Sequence, residues 1–268
     1  MSSSTARFRF PAALAACLLL ATGCSWLPEK VDETKDWSAA KLYSEAKDNL
    51  NEGNYEAALN YYEKLQARYP FGRYAQQAQL ESIYAYYKDG EADSAIAAAD
   101  RFIRTYPRHP FVDYAYYLKG LTNFERQGSP LDRVLPPDPT RTDSAVAMQS
   151  FNDFNDLVTK FPQSRYAEDA RKRMLFLRNN LATYELNVAH FYADRGDYVA
   201  AINRAKYIIA NYASSPAAGD ALAVMARAYI GLGMYDLASD ALRVLRQNYP
   251  QHPELATLTA QLGAQGKR

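Results

Sequence analysis

The chain has 268 residues, 31 Lys and Arg against 30 Asp and Glu, a formal net charge of +1, 48% hydrophobic residues and 22 tyrosines. Such a composition suits a globular chain long enough for a continuous core, and its balanced charge leaves no footprint for nucleic acid. Both cysteines, Cys17 and Cys24, lie near the N-terminus, so the remainder offers no disulfide and no thiolate metal site.

Residues 1–23 read as a segment outside the fold. Arg7 and Arg9 precede an apolar run, Phe10 to Ala21, that is too short for a membrane span. The run leads into Ala21-Thr22-Gly23-Cys24, which resembles a bacterial lipobox, with Leu20 one position earlier than usual. The resemblance implies cleavage before Cys24, a diacylglyceryl group on its sulfur and an acyl group on its new amine. A plain signal peptide with an incidental Cys24 is the alternative. Ser25 stands where an Asp would imply retention at the inner membrane, so the resemblance points to the outer membrane. Residues 24–37 are polar and read as a lipidated tether. The 13 residues from Cys24 to Trp37 reach at most about 45 Å.

From Ser38 onward the sequence repeats. Gly53 and Gly90 are 37 residues apart, as are Gly196 and Gly233, and Pro70, Pro107 and Pro250 each lie 17 residues beyond one of these glycines. A fixed period of this length signals stacked supersecondary units. Within the unit Phe71–Pro107, Ala75, Ala78, Ser82 and Ala85 form one helical stripe before Gly90, and Ile96, Ala99, Ile103 and Tyr106 another after it. Gly suits the left-handed residue that ends a helix, and Pro stops the next one. The unit is therefore helix, turn, helix, stop. It resembles the tetratricopeptide repeat, with Ala46, Gly53, Tyr55, Ala58 and Tyr62 at its consensus positions in the first unit and Ala226, Gly233, Tyr235 and Ala238 in the fifth. The expected fold is all-α: a tetratricopeptide-repeat solenoid of five helix-turn-helix units, units 1–3 in residues 38–162 and units 4–5 with a capping helix in 163–268.

The third unit is interrupted at 129–144, where Pro130, Pro136, Pro137 and Pro139 exclude a helix and predict a surface loop. No helix breaker occurs from Ala167 to Arg195, so the fourth unit opens with an unusually long helix. No catalytic or phosphate-binding motif occurs, and the chain reads as a non-enzyme. His109 and His252 each precede a Pro at a unit boundary and read as structural; Asp153 and Asp156 read as exposed helix residues.

Taken together, the lipobox, the five repeats, the interrupted third unit and the long helix resemble the BamD (ComL/YfiO) family of outer membrane lipoproteins. The segments that carry this resemblance are Arg68-Tyr69-Pro70-Phe71-Gly72, Ile83 to Lys88, Asp100 to Arg104, Gly120-Leu121-Thr122-Asn123 and Tyr184-Glu185. It implies a scaffold of the β-barrel assembly machine, lipid-anchored at Cys24 to the outer membrane and facing the periplasm, with no cofactor besides the covalent lipid. It implies partners BamA, BamC and BamE, and unfolded outer-membrane proteins as substrates. Arg204 and Phe191 are the candidates for the BamA contact. Tyr69, Tyr84, Tyr87, Lys88 and Arg101 are the candidates for a substrate-peptide groove, although for each tyrosine taken alone core packing is at least as good an account as ligand contact. A lipid-anchored repeat scaffold regulating peptidoglycan synthesis is the alternative reading.

Overall fold

The computed structural model describes residues 32–126 and 144–265. Cys24, most of the tether and the insertion from 129 to 143 lie outside them; Ser144, expected to close that insertion, is the first residue of a helix. The chain divides into two units, residues 1–38 and 39–268. In the first, a turn is fixed by Asp32, whose Oδ1 accepts the Thr34 N–H at 3.1 Å and its hydroxyl at 2.7 Å.

Residues 39–268 hold eleven helices and no strand among the described residues: α1 (Ala39–Glu52), α2 (Tyr55–Arg68), α3 (Arg73–Asp89), α4 (Ala92–Thr105), α5 (Val112–Arg126), α6 (Ser144–Lys160), α7 (Ala167–Asp194), α8 (Tyr198–Asn211), α9 (Ala217–Gly231), α10 (Tyr235–Asn248) and α11 (Leu255–Gln265). Each helix packs on the next, and the odd-numbered helices also pack across neighbouring units: α1 on α3, α3 on α5, α7 on α9. This is the all-α repeat solenoid that the 37-residue period predicts.

The punctuation works as the residue types dictate. Gly90 takes φ 83°, its N–H bonds back to Tyr87 O at 3.3 Å, and Glu91 N–H bonds to Tyr86 O at 3.0 Å, which closes α3. Gly53, Gly196 and Gly233 share that left-handed conformation. The second helix of every unit ends on an aromatic residue whose N–H bonds four residues back: Tyr69 to Leu65, Tyr106 to Phe102, Phe161 to Leu157, Tyr212 to Ile208 and Tyr249 to Leu245. Those five acceptor residues are all fully buried, so the last turn of each second helix is anchored in the core.

Three residues beyond each of the last four aromatics stands His109, Ser164, Ser215 or His252, whose N–H bonds back to the aromatic residue's carbonyl. His109 Nδ1 accepts Phe111 N–H at 3.2 Å, Ser164 Oγ accepts Tyr166 N–H at 3.2 Å, and His252 Nδ1 accepts Glu254 N–H at 3.3 Å. The histidines thus orient the chain into the next helix, which is a structural task.

Small residues set the closeness of the stack. Ala46, Ala58, Ala75, Ala99, Ala201 and Ala226 are completely buried. Gly120 is tighter still, because a Cβ there would stand 2.7 Å from the ring of Phe154. Ser150 seals this α5–α6 contact by donating to Gly120 O at 3.0 Å. One continuous core then runs from Leu121 on α5, through Leu177, Leu181 and Leu186 of the 28-residue α7, to Ala238 on α10.

Candidate interaction surfaces

Tyrosines form a row through units 1 to 4, and the phenols of Tyr43, Tyr62, Tyr87 and Tyr117 each reach a carboxylate on another helix. Glu81 on α3 is the first hub. Its Oε1 accepts Tyr43 at 2.9 Å and Lys47 Nζ at 3.0 Å from α1, and its Oε2 accepts the fully buried Tyr62 of α2. One step along, Tyr87 of α3 donates to Glu125 of α5. Next, Tyr117 of α5 donates to Asp169 Oδ2 at 2.8 Å, while Arg173 Nε bonds the same oxygen at 2.6 Å and its guanidinium lies 4.7 Å from the Phe124 ring centre. Tyr166 stacks between Tyr114 and Tyr117 at 5.3 and 4.7 Å.

The electrostatics follow from this geometry. Burial first, and then the neighbouring Glu81 or Glu125, push the phenols of Tyr43, Tyr62 and Tyr87 far above their ordinary value. Burial opposes ionisation of Asp169, but the bonds from Arg173 and Tyr117 outweigh it and hold this carboxyl below the usual range. The phenol protons of Tyr43, Tyr62, Tyr87 and Tyr117 are therefore committed internally. Between α1, α3 and α5 the row opens into a cleft of about 570 Å³ lined by Lys47, Tyr55, Glu81, Tyr84 and Tyr114.

Of the proposed groove residues, the structure brings Tyr84 and Tyr87 together, with ring centres 6.4 Å apart on this face. The others sit elsewhere. Tyr69 is the C-cap of α2, and Lys88 is exposed in the last turn of α3. Arg101 is exposed on α4, where it acts on Tyr86, whose hydroxyl donates to Glu63 Oε1 at 3.4 Å. Tyr86 is two residues from Tyr84, close to half a helical turn away, so Arg101 belongs to a different face of α3.

Asp153 corrects an expectation. It is 5% exposed, and its carboxylate accepts Asn123 Nδ2 at 2.7 Å, Gln149 Nε2 at 3.1 Å and Lys119 Nζ at 3.2 Å. Lys119 also reaches Asp100 at 2.9 Å, so three helices, α4, α5 and α6, meet in one polar knot. The helix phase contains the reason: Ala147, Ser150, Phe154 and Leu157 are the buried stripe of α6, and Asp153 lies beside it.

At the other end of the molecule Arg204 is exposed on α8, and its guanidinium bonds Glu185 Oε2 of α7 at 3.1 Å. It lines an open pocket of about 360 Å³ with Tyr192, Ala200, Asn203 and Tyr207. Phe191 is 56% exposed, edge-on to Tyr192 at 5.7 Å and covered by Arg195 at 5.2 Å. Glu185 was not anticipated as the partner of Arg204. Glu81 and Glu125 were also missed, although Tyr43–Glu81 and Tyr87–Glu125 share the same separation of 38 residues, close to the repeat period.

No group of three or more metal-binding side chains occurs among the described residues, and no described helix is long and apolar enough to cross a membrane. Tyrosine rows, open clefts and ion pairs on a stack of helix pairs define a helical-repeat protein. The family described as YfiO, outer membrane lipoprotein, matches residues 35–245. "Outer membrane protein assembly factor BamD" of Neisseria meningitidis serogroup A is 43% identical over 243 residues, which cover 91% of this chain and 90% of that protein. The proteins of the same name from Xylella fastidiosa Temecula1 and Vibrio cholerae O1 are 41% and 36% identical, over 91% and 86% of this chain and 83% and 95% of theirs. The chain belongs to the YfiO/BamD family of outer membrane lipoproteins.

Proposed function

We propose that this protein is a non-catalytic assembly factor for outer-membrane β-barrel proteins, tethered to the outer membrane by lipid on Cys24 and facing the periplasm. The observation that carries the reading is the extent of the family match, which runs through nearly all of the helical body. Fold alone would leave the partner open, since helical repeats are generic binding scaffolds.

The geometry supports a division of labour. The tyrosine row and its cleft suit an extended aromatic-rich segment of an unfolded barrel protein, received at Tyr84 and Tyr87. The Arg204 pocket, lined also by Tyr192 and Tyr207, suits an acidic side chain of BamA: a guanidinium is weakly hydrated and can grip a carboxylate with two bonds. Phe191 adds an apolar contact beside it, and BamC and BamE complete the expected assembly. In the free chain Glu185 occupies Arg204, so docking exchanges an internal carboxylate for an external one.

Co-purification from detergent-solubilised membranes tests the proposal. Recovery of an integral β-barrel partner in stoichiometric amount is the expected result. Recovery of a penicillin-binding protein in its place would overturn it in favour of a scaffold for peptidoglycan synthesis.

A further inference from the structure

The turns joining one unit to the next all lie at the edge where the odd-numbered helices begin, and in units 1 to 3 they share an unusual chemistry. Residues 68–73, 104–111 and 160–166 hold six Lys or Arg and no Asp or Glu. The opposite edge is the reverse: its first two turns, residues 51–56 and 88–93, hold five carboxylates and one lysine. A chain with a net charge of +1 therefore carries a transverse separation of charge across its first units.

The basic edge is also apolar at its tips. Phe71, at 89%, is the most exposed large apolar side chain among the described residues, and Phe111 in the next turn is 55% exposed. Arg73 lies 4.8 Å over the Tyr74 ring, and Arg165 lies 4.7 Å over the Tyr166 ring. Both spend hydrogen bonds on the phenol oxygens, which leaves their charge in place. Asp113, bonded by Ser164 at 2.6 Å, is the carboxylate that acts on Arg165, and Asp156 pairs with Lys160 at 3.0 Å. Arg73, Arg104 and Arg108 have no carboxylate within ion-pair distance among the described residues.

From this we infer that the basic, phenylalanine-tipped edge of units 1 to 3 is a contact surface for anionic phospholipid headgroups. Arginines at headgroup level with aromatic side chains entering the acyl boundary are the chemistry of an interfacial site. The chain path agrees. α1 begins at Ala39 on this same edge, so the helical body starts there. The approach rests on the reading of Cys24 as the anchor, which would hold the body within about 45 Å of the membrane; charge then selects this edge over the acidic one. Weak partitioning then suffices, because the anchor supplies a high effective concentration.

The test omits the anchor. Residues 39–268 form a compact unit, so the chain without residues 1–23 and with Cys24→Ser retains all of it. Flotation is measured with phosphatidylglycerol–phosphatidylethanolamine vesicles and with phosphatidylcholine vesicles. Salt-sensitive binding to the anionic vesicles alone is expected. Arg104→Glu with Arg108→Glu should lower it by roughly thirty-fold or more, whereas Arg243→Glu, on α10, should leave it unchanged. A fluorophore on Phe71→Cys, the only cysteine of that variant, should shift to the blue on anionic vesicles. Circular dichroism confirms that each variant is folded. Absence of flotation, equal flotation with both lipids, or undiminished flotation of the double arginine variant overturns the inference. So does an edge that captures acidic proteins while ignoring vesicles. Because no lipid is attached in this assay, its failure leaves the anchor at Cys24 untouched, and failure of the anchor leaves this result standing.

Discussion

Asp153→Ala removes the acceptor at the centre of the α4–α5–α6 knot. The carboxylate is 5% exposed and takes bonds from Asn123, Gln149 and the Lys119 ammonium. A hydrogen bond involving a charged group contributes about 1.5–3 kcal/mol, and a buried donor deprived of its acceptor costs about 1–3 kcal/mol. Lys119 moderates the loss, because its side chain is 19% exposed and keeps Asp100 at 2.9 Å. The expected destabilisation is about 2–4 kcal/mol, below the range for isolating a fully buried charge. For a body of this size that lowers Tm by roughly 5–12 °C. The assay is thermal unfolding followed by circular dichroism at 222 nm, with Asn123→Ala and the double variant completing a cycle. The two losses should sum to more than the double variant's loss, because each removes the same bond. A single variant melting within about 1 °C of the parent would show that the knot is open to water and the reasoning wrong.

Three further outcomes are expected. Arg204→Glu should keep the fold at a cost of about 1–3 kcal/mol, because Glu185, its side chain 14% exposed, loses its partner, while costing roughly 2–5 kcal/mol of BamA binding; a pull-down with undiminished BamA would remove Arg204 from that interface. Cys24→Ser should leave the membrane fraction of cells, and a variant that matures and stays there would refute the lipid anchor. Tyr43, Tyr62, Tyr87 and Tyr114 have phenols raised by burial above the unfolded value of about 10. The folded state therefore keeps their protons longer, so their stabilisation is whole below pH ~10 and is lost as the pH climbs beyond it. Absorbance at 295 nm should show these tyrosines ionising together with loss of helix; ionisation of every tyrosine near pH 10 with helix intact would contradict the burial.

The fold was readable because its signals are local. A glycine that must take a positive φ, a proline that cannot continue a helix and a stripe of alanines are each written within a few residues, and their recurrence reports the stacking. The positions of Cys24 and the insertion lie outside the described residues, so only the helical body bears on this comparison. The interaction surfaces were less readable. Tyr84 and Tyr87 share a helix and so a face, whereas Arg101, which the family resemblance groups with them, stands on α4. Partners such as Glu81, Asp153 and Glu185 are chosen by the packing of different helices, and a residue's own neighbourhood in sequence does not contain that information. The phase of α6 did contain the burial of Asp153, which composition alone obscured.

The unbroken α7 has a consequence for how such a chain can vary. Its 28 residues span about 42 Å without a glycine or proline to absorb a change in length. An inserted residue in a turn between units is taken up locally. The same insertion in the middle of α7 rotates everything beyond it by about 100° about the helix axis. It would turn the Arg204 pocket, which lies beyond the insertion, relative to the tyrosine row that lies before it. The helix thus acts as a keyed shaft, fixing the angular register between the two surfaces, and the lengths of chain free to drift over evolutionary time are those on either side of it.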